Sequence, residues 1–335
     1  MNNQLHTHLQ NILTKNFKVN TNTFVLLVYD EQCDLAKQLS EEYKNVIKDY
    51  SHNAINFNEH TEEEILKIFE TLPPKSLVIL VQSSSFRMTK HRLRADLFQH
   101  GHQVIEHSRL SFNKEEEKQT YLNSLQYDTP YYLTMCEKIE NLLTHNKLIT
   151  YESGNGLTLV IDSAYERPIK NTGDFSNQAT ASSGFPIGEI FTEAKELDKI
   201  NGSIVVFAFP TTDHRTGWCE PFIVTIKDGC VISHTGPAAF EEILTQIKSE
   251  EGDKVQIREI GFGLNRALGF DKRITEPTCF ERFAGAHFSL GLKHAMYRKK
   301  ISKKVYQKYH VDIFCKVDKI TIGNTRIYEG GIYVL

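Results

Sequence analysis

Two short, almost unbroken apolar runs, residues 24–29 (FVLLVY) and 77–82 (LVILVQ), constrain the first third of this chain more than any other feature. A strand with one wet face alternates apolar and polar residues. A run without that alternation is covered on both faces, as the strands of a parallel sheet are. Between the two runs lies helical spacing. Residues 34–47 repeat apolar side chains at helical intervals, and residues 61–72 open with three glutamates in the first turn before Pro73-Pro74 ends the segment. Strand and helix therefore alternate, which predicts an open α/β domain.

From about Leu148 the pattern changes to β-rich segments separated by turn signals. Residues 148–153 and 157–165 flank Gly154-Asn155-Gly156 and read as a hairpin. Residues 203–209, 222–226 and 230–233 continue the series, the last two joined by Asp228-Gly229, a strong tight-turn pair. A helix over 238–248 is inserted among them. The predicted class is thus α/β and α+β: an open α/β domain over 1–130, then a β-rich domain with an antiparallel sheet over 131–335. The boundary falls in a helical stretch between 125 and 147.

A chain of 335 residues has room for two such domains, and 40% hydrophobic with 24% charged residues is a globular balance. A net charge of -3 and a pI near 6.5 provide no basic field, so neither nucleic acid nor an anionic membrane is an expected partner. Six scattered cysteines without a C-x-x-C pair read as reduced thiols. No secretory leader or spanning apolar run is legible, and the cytoplasm is the expected location. Basic residues cluster at 90–94 and 298–308. Their ordinary reading is a solvated face, and the functional one is a rim that holds a substrate carboxylate.

H-E-x-x-H, G-x-S-x-G and the P-loop are missing, which removes the commonest zinc protease, serine hydrolase and nucleotide hydrolase patterns. Gly261-Phe262-Gly263 lacks the third glycine of a dinucleotide fingerprint. What remains is a set of acids and histidines in unusual surroundings. His310 and Asp312 stand two apart at the head of a β-favouring run over 311–317, so one strand face would carry both. Glu259 ends a strand-like run before a glycine turn, where a salt bridge to Arg258 or to another strand is the ordinary reading. Glu189 is flanked by glycine and apolar residues, where a carboxylate requires a cation or a metal. His287 lies among small and apolar residues at 283–291, where the alternative is a satisfied core histidine.

Taken together, these segments resemble the metallo-aminopeptidase family of the aminopeptidase T or leucyl aminopeptidase type. Residues 188–192 (GEIFT) resemble that family's G-E-V-F-T, and residues 259–265 (EIGFGLN) its E-L-G-I-G-x-N. Residues 287–291 (HFSLG) resemble H-x-A-L-G, residues 310–312 (HVD) resemble H-W-D, and the tail over 320–335 is similar to the family's C-terminal hairpin. The resemblance implies a two-metal site held by Glu189, Glu259, His287, His310 and Asp312, with zinc, cobalt or manganese as the ions. It implies hydrolysis of N-terminal residues from peptides, with Glu189 and Glu259 in the catalytic group.

Three departures stand out. The family's tyrosine seven positions after the first histidine is here His294, a candidate extra ligand or proton carrier, and Tyr297 follows three residues later. The loop before H-x-D is lysine-rich. Glu193-Ala194 stands where the family has alanine-proline. Dihydroxypyridine dioxygenases resemble the same peptidases and imply a second reading, a single iron held by His287, His310 and Asp312. A decayed site that only recognises a peptide is the third. The expected partners are a peptide or amino-acid-like substrate and a second copy of the chain in a homodimer.

Overall fold

The computed structural model describes residues 3–86, 88, 93–291, 293, 297 and 310–335. His294, the lysine-rich segment 298–308 and most of the 90–94 cluster lie outside the described residues. The chain divides into two compact units: Met1–Thr129 with Gly173–Ile187, and Pro130–Thr172 with Gly188–Leu335. No helix among the described residues is long and apolar enough to cross a membrane.

The first unit holds strands β1 (Val25–Tyr29), β2 (His52–Asn56), β3 (Leu77–Val81) and β4 (Gln103–His107), with β8 (Ser182–Gly184) added from the later segment. Their order is β2-β1-β3-β4-β8 and every pairing is parallel. Both apolar runs lie inside this sheet, and β3 is buried at all five positions. Leu26, Val28, Ile65, Val78, Leu80 and Val104 form part of its core. The helix read over 61–72 is Glu62–Glu70, started by a reciprocal capping box between Thr61 and Glu64. The return of residues 182–184 to this sheet has no signal in the sequence, because Ser182-Ser183-Gly184 is too short and polar to read as a strand.

The second unit is an antiparallel sheet. Its strands are β5 (Leu148–Glu152), β6 (Thr158–Asp162), β7 (Ile169–Asn171), β9 (Glu189–Glu193), β10 (Ile200–Pro210), β11 (Thr216–Lys227) and β12 (Cys230–His234). They continue with β13 (Ile257–Gly263), β14 (Gly285–Gly291), β15 (His310–Cys315), β16 (Lys319–Ile322), β17 (Thr325–Glu329) and β18 (Ile332–Tyr333). The order is β18-β17-β16-β5-β6-β10-β15-β14-β13-β9-β7, and β11 and β12 branch from β10. β5 and β6 pair in the register of the expected hairpin. The strand expected over 311–317 runs from His310 to Cys315.

The pleat sorts side chains onto two faces. Ile260, Phe262, Phe288, Leu290 and Ile313 on β13 to β15 are fully buried on one of them, where Tyr151 from β5 meets the Phe288 ring edge-on at 5.1 Å. Burying each aromatic ring there is worth about 1.5–3 kcal/mol. That apolar face holds β13, β14 and β15 together while the opposite face carries acids.

Candidate metal centre

β9, β13, β14 and β15 are neighbours in the sheet, and each contributes polar residues to the same face. β9 presents Glu189, β13 Glu259, β14 His287, and β15 both His310 and Asp312. Cross-strand register brings them level: Gly263 lies opposite Glu189, Gly261 opposite His287, and Ser289 opposite Asp312. The ladder slips between Ile257 and Ile260, so Arg258 and Glu259 together face Ser289 as a bulge. The Glu259 amide donates to Ser289 Oγ at 2.9 Å, which fixes that bulge. Arg258 bonds Gln256 and the Gly291 carbonyl, and the ion-pair contact of Glu259 is to His287 on the neighbouring strand, the cross-strand form of the salt bridge that sequence offered.

Glycine at 261 is what admits the histidine. A Cβ built there would overlap the His287 imidazole, so the ring lies in space that any other residue would fill.

The five residues form two overlapping groups. Ligand atoms of Glu189, Glu259 and His287 lie within 4.8 Å of one another, as do those of Glu259, His310 and Asp312, and Glu259 belongs to both. His287 Nε2 is 3.2 Å from Glu189 Oε1 and 3.4 Å from Glu259 Oε1, and His310 Nε2 is 3.2 Å from Asp312 Oδ1. These are ion-pair distances without hydrogen-bond alignment: Glu189 Oε1, both His287 nitrogens and Asp312 Oδ1 are buried with no hydrogen-bond partner. Side-chain exposure is 3% for Glu189, 5% for Glu259, 0% for His287 and 28% for His310, so only His310 reaches toward solvent.

Titration follows from this crowding. Burial opposes the charge on His287, but the Glu189 and Glu259 carboxylates outweigh it and raise the imidazole to about 10. Burial likewise opposes the charge on His310, and Asp312 overrides it to about 10. For Asp312, burial is outweighed by His310, and its carboxyl is held near 2. Glu189 is also held below the ordinary range, since Arg282 and His287 overcome its burial. Burial pushes Glu259 up, against the pull of His287. Acids packed this closely in a dry site are costly unless cations compensate them. Buried atoms with no partner among the described residues, in a set of carboxylates and imidazoles, suit a divalent ion.

Sequence reading missed Glu281 and Arg282. The short helix Pro277–Phe280, capped by the Glu276 side chain on the Cys279 amide at 2.6 Å, delivers them to this face. Arg282 Nη1 lies 3.2 Å from Glu189 Oε2 and also pairs with Glu281. Burial pushes the Glu281 carboxyl well above its usual range. An available signal was the pair Glu281-Arg282 inside the apolar stretch Cys279-Phe280 and Phe283-Ala284, where charges need a reason to be.

Tyr297 donates its hydroxyl to the Arg167 carbonyl at 2.8 Å. Glu193, in the family's alanine position, is buried opposite Glu259 with Lys293 Nζ at 3.4 Å.

No family model matches the sequence, and no curated protein does. Solved structures are another matter. A 2,5-dihydroxypyridine dioxygenase from Pseudomonas putida superposes with a TM-score of 0.61, over 100% of this chain and 98% of that one, at 15% identity. Wild-type AmpT from Thermus thermophilus superposes with a TM-score of 0.62, over 99% of both chains, at 11% identity. The likeness is one of fold. It spans essentially the whole chain and includes both kinds of protein named in the expected resemblance.

Proposed function

We propose that this chain is a metal-dependent hydrolase of the aminopeptidase kind, which uses two divalent ions to remove N-terminal residues from peptides. The observation that carries the proposal is the shared position of Glu259, the common member of two three-residue groups. In this reading Glu189 and His287 would hold one ion and His310 and Asp312 the other, with Glu259 available to both groups. Zinc, cobalt or manganese suits these ligands. A bound pair supplies Lewis acidity toward a scissile carbonyl and a water of lowered pKa.

The chain's own residues supply the setting. The bulge at Glu259 holds its carboxylate between the two groups, and Gly261 leaves room for the His287 ring. The buried surroundings of Glu189 and Asp312 keep charges on this face poorly screened, so these carboxylates attract divalent cations strongly. The partial exposure of His310 marks the side open to a substrate. Six cysteines outside any disulfide support a reducing compartment such as the cytoplasm.

The fold likeness to the dioxygenase supports a second reading, one ferrous ion on His287, His310 and Asp312. The grouping of ligand atoms favours the first reading, since His287 joins Glu189 and Glu259 while His310 and Asp312 form the other group. The test is metal analysis together with peptide turnover. The hydrolase reading expects two ions per chain and release of N-terminal residues at equal rates with and without oxygen, abolished by chelation. One iron with oxygen consumption on an aromatic heterocycle would replace it with the oxygenase, and a metal-free, inactive protein that binds peptides would replace it with a recognition module.

A further inference from the structure

The two ligand groups are matched in composition: each has one private carboxylate, one private imidazole and a share of Glu259. Their surroundings are not matched. Arg282 stands against the first group, with Nη1 3.2 Å from Glu189 Oε2 and also paired with Glu281, an acid that itself lies beside Asp312 of the second group. The second Glu189 oxygen, Oε1, has no hydrogen-bond partner and lies 3.2 Å from His287 Nε2. Arg282 is also anchored. Its amide donates to the Cys279 carbonyl at 3.3 Å, its carbonyl accepts from the Asn265 amide at 2.8 Å, and the short helix before it is capped by Glu276. Its side chain is 16% exposed, and a guanidinium retains its charge at every pH a protein tolerates.

We propose that Arg282 is a positioning residue that makes the two metal positions unequal, confining Glu189 to one ligand oxygen and keeping a fixed positive charge beside the Glu189–Glu259–His287 position. This rests on the dinuclear reading above. A divalent ion that enters beside the guanidinium meets a like charge through poorly screened protein and competes with it for Glu189. The Glu259–His310–Asp312 position therefore fills first and holds its ion more tightly. The Glu189–Glu259–His287 position fills second, and its occupancy is the one that responds to the metal supply.

The test is titration of the chelator-stripped full chain with cobalt(II), followed by visible absorption and by competition with a chelator. The expected result for the wild type is two steps separated by at least about tenfold, the scale on which residues behind the ligands move metal affinity. Arg282→Met should tighten the second step by about tenfold or more and leave the first in place, whereas Arg282→Lys, which keeps the charge, should restore the separation. If Arg282→Met does not fold, the order of filling still decides. His287→Ala should delete the weaker step and His310→Ala the tighter one. Two ions bound with equal affinity, a separation unchanged in Arg282→Met, or loss of the tighter step in His287→Ala would overturn the role of Arg282 while leaving the dinuclear reading intact. Fewer than two ions in the wild type would overturn both.

Discussion

Gly261 and His287 face each other across the β13–β14 pair, and the imidazole lies where a Cβ of residue 261 would be. The glycine is therefore a requirement of the site. Gly261→Ala must displace the ring or push the strands apart, an overpacking cost of about 1–3 kcal/mol. The expected outcome is a lower melting temperature together with loss of the ion assigned to Glu189, Glu259 and His287. Metal content per chain and a thermal melt measure both, and retention of two ions would show that the ring is not a ligand.

Glu259 is the only residue common to the two groups, so its loss should be felt at both. Glu259→Gln keeps the shape and removes the charge. Turnover should fall by at least about 100-fold, the scale of removing one electrostatic stabiliser, with little change in the circular dichroism spectrum. Both metal steps should weaken. Unchanged turnover would return Glu259 to a purely structural role.

On β15 the pleat separates function from packing. Asp312 is buried on the site face, while Val311 is half-buried on the other side. Asp312→Ala and His310→Ala should each weaken metal binding by at least about tenfold. Val311→Ala should cost on the order of 1 kcal/mol in a denaturant titration and leave the metal stoichiometry alone. Full metal binding in both site variants would make the His310-Asp312 pairing accidental.

Proton linkage in the chelator-stripped protein follows from the imidazoles. His287 and His310 are raised from 6.5 to about 10, their carboxylate neighbours overriding burial, so the stability they contribute is complete below 6.5 and is lost as the pH climbs toward 10. Asp312 works in the other direction: His310 overrides its burial and depresses it from 3.8 to about 2, so its contribution is complete above 3.8 and is lost as the pH falls to about 2. His107 in the first unit is lowered to about 3 by burial, and its neutral ring stabilises above 6.5 and ceases to as the pH falls toward 3. Metal ligation needs neutral imidazoles, so binding at pH 8 should release protons, and affinity should rise about tenfold per pH unit for each proton displaced. Calorimetry in buffers of different ionisation enthalpy counts those protons. A pH-independent affinity between about pH 7 and 9 would contradict the imidazolium state.

Much of this molecule is local and can be read from the chain. The unbroken apolar runs of β1 and β3 required a covered parallel sheet, and the spacing of His310 and Asp312 put both on one strand face before any partner was known. Glu189, Glu259 and His287 were visible as polar residues in apolar or glycine-rich stretches. What no local pattern carries is which strands lie side by side. The order β9-β13-β14-β15 gathers residues separated by up to 123 positions, from Glu189 to Asp312, and a one-residue bulge at Glu259 sets the level at which they meet. Strand period depends on the backbone of a few residues, whereas register and neighbour order depend on contacts closed across the whole unit. For that reason the division of the five residues into two groups around Glu259, the opposition of Gly261 and His287, and the pairing of Arg282 with Glu189 were decided by the tertiary structure alone.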